Sequence, residues 1–163
     1  MIRWEERPVE IANLFNPAFC GEILRRCISS YQQTNSLSLP YPLLFLVLPI
    51  ILHRDTRERI SPRQKLTLHA WLQRHPDLRI GFAERASELI PITKEALIFL
   101  LQVDAVRFDK QAGLISQPYR NVSIAGQSEG EIADCHRKAD LVGRWFARAG
   151  TVTTIYAMWG VRP

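Results

Sequence analysis

Asn16-Pro17-Ala18-Phe19-Cys20-Gly21-Glu22-Ile23-Leu24-Arg25-Arg26-Cys27-Ile28-Ser29-Ser30-Tyr31 is the stretch that decides the fold. Phe19, Cys20, Ile23, Leu24, Cys27, Ile28 and Tyr31 recur at helical spacing, with Arg25, Arg26, Ser29 and Ser30 on the other side. Asn16 has the oxygen that an exposed first-turn N–H needs, and Pro17 suits the first helical position, where no amide hydrogen is lost. The pattern predicts an amphipathic helix that buries Cys20, Ile23, Leu24, Cys27 and Ile28 on one face and ends in the polar stretch 32–38. Upstream, residues 8–15 fit a short helix.

Downstream, Pro40 and Pro42 bracket the entry to an apolar run at 43–52. Pro42 suits a first turn, and Pro49 should kink the helix that follows. This run is about half a membrane span. Hydrophobic on every side, it reads as buried core or as a helix facing a partner. Ser61-Pro62-Arg63-Gln64 resembles a capping box opening a helix whose inner face is Leu68, Trp71 and Leu72. Residues 79–90 suit a helix with Phe82, Ala83, Ala86, Leu89 and Ile90 inward; Pro91 should break it, and Thr93 should cap another over 94–104.

The period then changes. Residues 106–109 and 114–117 alternate around 110–113, predicting a hairpin with Gly113 in the awkward turn position. Residues 119–127 read as loop. Ser128-Glu129-Gly130-Glu131 is a third capping signal, and Ile132, Cys135, Ala139, Val142, Phe146 and Ala149 form the seam of the helix it opens. Residues 151–159 carry both helical spacing and strand-forming Thr and Val; a helix capped by Thr151 and stopped by Gly160 is favoured. The expected fold class is mainly α (α+β), a compact helical domain with a winged-helix-like helix-helix-hairpin unit. One domain over 1–163 is expected, with an N-terminal helical part (1–75), a winged-helix-like part (76–120) and C-terminal helices (128–163).

The bulk composition agrees with one globular core: 163 residues, 47% hydrophobic. The formal charge is +5, from 21 Lys and Arg against 16 Asp and Glu, but the basic residues are scattered. Cys20, Cys27 and Cys135 are odd in number and lack metal spacing, which favours a reducing compartment. The charged opening 1–7 does not read as a secretory signal, so a cytoplasmic location without membrane contact is expected.

Chemistry is sparse. No glycine-rich phosphate loop and no nucleophile elbow occur. His53, His69, His75 and His136 do not pair at ligand spacing, and the adjacent Cys135 and His136 point different ways on a helix. No catalytic residue, metal site or cofactor is therefore expected. The helix over 94–104 offers only Lys94 and Gln102 to read bases and sets Glu95 and Asp104 against phosphate, unlike a DNA-reading helix. The one basic cluster is Arg54, Arg57, Arg59, Arg63 and Lys65. It suits phosphates or an acidic partner, or equally a solvated surface of local Arg–Asp and Arg–Glu pairs.

Three blocks carry a resemblance. Arg7-Pro8-Val9-Glu10-Ile11-Ala12-Asn13-Leu14-Phe15-Asn16-Pro17-Ala18-Phe19-Cys20-Gly21 opens the chain; Leu46-Val47-Leu48-Pro49 and Leu52-His53-Arg54-Asp55-Thr56-Arg57 follow; Gly143-Arg144-Trp145-Phe146-Ala147-Arg148-Ala149-Gly150, residues 155–159 and Gly160-Val161-Arg162-Pro163 close it. Together they resemble the middle component of bacterial three-component ABC systems. The resemblance implies a small subunit encoded beside an SMC- or RecN-like ABC ATPase and an effector-like third component, as in anti-phage and anti-plasmid defence complexes of the Lamassu type. It implies no catalytic residue.

Two readings follow. One is a non-catalytic bridging or regulatory subunit that meets the SMC/RecN-like ATPase and effector through apolar surface: Leu43, Leu46 and Ile50 from the run, and Tyr156, Met158 and Trp159 near the C-terminus. Trp159 could instead close the domain's own core. The other is a winged-helix protein contacting nucleic acid without sequence preference. A small hydrolase or nuclease is disfavoured, because no active-site constellation is present.

Overall fold

The computed structural model of the chain describes residues 15–61, 63, 65–117 and 130–162. The expected helix at 8–15 and the loop at 119–127 lie outside this set, apart from Phe15. Helix α1 (Pro17–Asn35) is the centrepiece. The Ala18 N–H donates to Asn16 Oδ1 (2.8 Å), so the cap forms as the sequence predicts. Cys20, Ile23, Leu24, Cys27, Ile28 and Tyr31 are buried. Left-handed Ser36 (φ 60°) ends the helix.

The apolar run after α1 packs back against it. A 3₁₀ turn (Tyr41–Leu43) leads into α2 (Leu44–Ile51), which holds Pro49 and is buried along nearly its whole length. Helix α3 (Arg54–Arg59) follows, capped by His53; with no apolar stripe, this short helix left no periodicity to read. Helix α4 (Leu68–Arg74) begins later than the signal at Ser61. Its cap is Thr67, whose Oγ1 accepts the Ala70 N–H (3.3 Å); Ser61 and Arg63 are not helical, and Pro62 and Gln64 lie outside the described residues.

The expected helix at 79–90 is divided. A 3₁₀ turn (Pro76–Arg79) and left-handed Gly81 (φ 68°) precede α5 (Phe82–Glu88), and α6 (Ile90–Gln102) starts one residue after it. Pro91 opens α6 rather than breaking a helix, since a first-turn proline sacrifices no intrahelical bond. Thr93 accordingly lies inside α6, fully buried, with its N–H bonded to the Leu89 carbonyl (2.9 Å), and is not a cap.

The hairpin forms from β2 (Val106–Phe108) and β3 (Gly113–Ser116). A short β1 (Leu39–Pro40), not expected from sequence, pairs with β3, giving an antiparallel order β1-β3-β2 with Leu39 opposite Leu114 and Arg107 opposite Ile115. The left-handed turn residue is Ala112 (φ 59°), not Gly113. Gly113 is needed for a different reason: a Cβ there would stand 2.2 Å from Ser38 Oγ. Asp109 organises the turn, accepting the Gln111 and Gly113 N–H groups (each 2.8 Å) and the Ser38 hydroxyl.

Helix α7 (Glu131–Arg148) lies along α1 with Gly130 at its N-cap; Ser128 and Glu129 fall outside the described residues. The middle of its seam is seated as expected, with Cys135, Ala139, Val142 and Phe146 buried, while Ile132 and Ala149 at the ends are half-buried. Helix α8 (Val152–Met158) is capped by Thr151 and followed by left-handed Gly160 (φ 71°), so the helical reading of this segment holds. All these elements share one apolar core. Its far end is aromatic: Trp71 meets Trp145 at 5.0 Å, and Phe82 stacks on Trp159 at 4.3 Å. Among the described residues, no helix is long and apolar enough to cross a membrane.

Candidate docking groove and buried ionic cluster

Leu43, Leu46 and Ile50 do not face outward. Each is 1% exposed or less, because α2 is wrapped by its neighbours. Trp159 is equally covered, its ring stacked on Phe82. All four belong to the core, which corrects the partner-facing reading of Leu43, Ile50 and Trp159; Leu46, though covered, also lines the floor of the groove described next. Tyr156 is mostly buried too, and its hydroxyl donates to the Pro42 carbonyl (2.7 Å). Burial pushes that phenol's pKa up. Met158 is half-buried beside a recess of about 240 Å³ that also touches Lys65, His69 and Arg148.

The two regions chosen from sequence nevertheless meet at the surface, through Leu46 and Tyr156 and through side chains not singled out. A groove of about 500 Å³ runs where the 3₁₀ turn, α5, α6 and the C-terminal residues converge. Tyr41 and Phe45 form one wall, in edge contact at 5.2 Å. Ala83, Ala86, Ser87 and Ile90 form the opposite wall, and Tyr156 and Val161 close it. Lys94 and Arg162 are the charged residues lining it. Tyr41 also leans on Phe108 of the hairpin (5.8 Å), so exposed Phe108 extends the apolar surface. A continuously apolar run has no periodic face, which is why sequence reasoning found the regions but not Tyr41 and Phe45.

The basic cluster disperses into ion pairs. Arg54 pairs with Glu58 (2.7 Å), and Arg59 with Asp77 (2.6 Å) and Asp55 (3.4 Å). Arg57 is buried: its Nη1 donates to the Ile51 carbonyl (2.9 Å), its Nη2 binds Glu131, and Asp134 lies 3.9 Å from its Nε. Asp134 also accepts from the buried Lys138 (2.8 Å). A buried cation is tolerable only with such partners. This cluster ties α3 to the first turns of α7, where acids already favour the helix N-terminus. Sequence reasoning saw Glu131 only as a helix-start acid; the i, i+4 spacing of Asp134 and Lys138 was the available signal. Arg63 and Lys65 remain exposed.

The three cysteines are not tuned for nucleophilic chemistry. None of the three cysteines is disulfide-bonded and all are buried. Burial, with Glu95 adding to it, pushes the Cys20 thiol up to about 12; burial drives Cys27 higher still and raises Cys135. His136 is held below its ordinary value by burial and by Arg26. Among the described residues, no three His, Cys, Asp or Glu side chains are placed to hold a metal ion.

These features define a small, mainly helical protein with an internal ionic cluster and an open apolar groove. The chain belongs to the family of ABC-three component (ABC-3C) system Middle Component 3, whose model matches residues 4–163. It is thus a middle component of such a system, as the opening and closing motifs suggested. No curated protein and no solved structure matches the chain.

Proposed function

We propose that this chain is a non-catalytic subunit that bridges or regulates an SMC/RecN-like ABC ATPase and an effector, in a cytoplasmic anti-phage or anti-plasmid defence complex of the Lamassu type. The observation that supports it most directly is the groove lined by Tyr41, Phe45 and Ile90: a contiguous apolar recess on a small protein marks an interaction site more often than not. Membership of a multi-component system supplies partners for that surface. The sequence carries no phosphate loop, so ATP turnover falls to the partner. Co-expression with the two neighbouring components, followed by gel filtration and an ATPase assay, tests the reading. It requires one co-eluting complex, ATP hydrolysis that changes when this chain is omitted, and no hydrolysis by the chain alone.

The recess beside Lys65, His69 and Arg148, with Arg63 nearby in sequence, supports a secondary role in non-specific nucleic-acid contact. Such binding should be weak and fall steeply with salt as phosphate counterions are released. Tight binding to one sequence at physiological salt contradicts it. A base-reading role for α6 has little support, since its exposed positions include Ile90, Pro91 and Ile98.

A further inference from the structure

We infer that the groove receives one amphipathic helix of a partner subunit, with apolar anchors on one face and carboxylates beside them; this rests on the subunit reading above. The walls decide the form of the occupant. They are built from α5, α6 and a 3₁₀ turn, whose backbone groups are engaged within those helices. Among the described residues, none that lines the groove belongs to a strand, so an extended peptide would find no ladder to join there. A helix brings a backbone already satisfied and needs only side-chain contact, through anchors at i, i+3 or i+4, and i+7. The surface is long enough for such spacing. Ile90, Lys94 and Ile98 lie one above another on α6, spanning roughly 12 Å along its axis, and Ile98 is exposed beyond the groove.

Charge decides the chemistry of the occupant. Lys94 and Arg162 line the groove, and among the described residues no Asp or Glu does. The nearest acids in sequence are directed elsewhere. Glu95 bears on Cys20, whose thiol its charge raises. Glu84 and Glu88 each follow a lining residue by one position, which places them about 100° further round α5. The chain as a whole carries +5, so a second copy would meet like charge at long range and two cations at the groove. A helix with Asp or Glu flanking its anchors meets both cations favourably, and this also steers association.

The test uses the complex as it assembles: this chain co-expressed with the neighbouring ABC ATPase and third component, carrying p-benzoylphenylalanine in place of Ser87, an exposed groove residue. After irradiation, the crosslinked segment is sequenced by mass spectrometry. The proposal expects one partner segment with helical apolar periodicity and net negative charge. It also expects the crosslink yield to drop at least tenfold in the Lys94→Glu/Arg162→Glu variant, checked for folding by circular dichroism, and to recover when the segment's carboxylates are replaced by lysine. A crosslink to a second copy of this chain, to a basic or non-helical segment, or to nothing in a complex that still co-purifies overturns the helix proposal and leaves the subunit reading standing. Failure of any complex to form overturns both.

Discussion

At the scale of the residue, Gly143 sets how closely α1 and α7 approach. A Cβ at this position would stand 2.4 Å from the Cys27 carbonyl oxygen and 3.0 Å from the Ser30 Cβ. The close crossing lets the Ser30 hydroxyl donate to the Asp140 carbonyl (2.6 Å) and Arg26 pair with the Asp140 carboxylate. Backbone cannot yield as a flexible side-chain tip can, so Gly143→Ala should destabilise the fold by about 1–3 kcal/mol in urea melts. An unchanged midpoint would show that the helices separate freely. The glycine was visible in the sequence only as part of a closing motif, because its reason lies on a helix far away along the chain. Cys20 and Cys27 were legible, since each sits on a stripe whose spacing alone says which side is inward.

At the scale of the element, α3 shows most clearly what the sequence withheld. Six residues without an apolar stripe give no period, and the run reads as loose positive charge. Its architecture is polar: a histidine cap at one end and a buried arginine inside. Removing Arg57 leaves the Ile51 carbonyl without its buried donor, while Asp134 keeps Lys138 and Glu131 stays in water, so Arg57→Ala should cost about 1–3 kcal/mol. Arg54→Ala, which breaks an exposed pair with Glu58, should shift stability by under about 1 kcal/mol. Comparable losses from both, measured by urea unfolding, would remove the distinction between internal and surface pairs.

The cap makes α3 sensitive to pH. His53 Nδ1 accepts the Thr56 N–H (3.3 Å), which only an unprotonated nitrogen can do. Burial holds the His53 pKa below its ordinary 6.5, Arg85 and Arg57 push the same way, and Asp55 opposes them. The folded state thus binds this proton less readily than the unfolded chain. The stabilisation is complete above about 6.5 and is lost as pH falls below it toward the depressed folded value. His136 titrates with the same sign, since burial and Arg26 lower it while Glu22 and Asp140 oppose. Thermal melts should therefore fall in midpoint between pH 7.5 and 5.5, and His53→Asn, which keeps a cap acceptor that does not titrate there, should flatten part of the fall. A steeper fall in that variant contradicts the assignment. The carboxylates held low, Asp77 by Arg59 and Asp109 by Ser38, act in a more acidic window.

At the scale of the whole molecule, the helical class, the hairpin and the two C-terminal helices were readable, because amphipathic periodicity and capping residues are local. The groove was readable only by region. Residues 42–52 and the C-terminal segment do converge, as Tyr156 on the Pro42 carbonyl shows. Which of their side chains face water depends on packing that no local pattern records, so Leu43, Ile50 and Trp159 went inward, Leu46 sits at the groove floor, and Phe45 and Val161 line its walls. The central claim is that this groove, rather than exposed apolar surface in general, holds the partner. Ile90 lines the groove at 36% exposure, whereas Ile80 (77%) and Leu37 (62%) do not line it. Each is changed to Asp, and complex formation with the co-expressed ATPase and third component is measured by analytical ultracentrifugation. The account predicts that all three variants fold, that Ile80→Asp and Leu37→Asp assemble as the unaltered chain does, and that Ile90→Asp sediments apart from its partners. Full assembly by Ile90→Asp, or equal loss in all three, contradicts it.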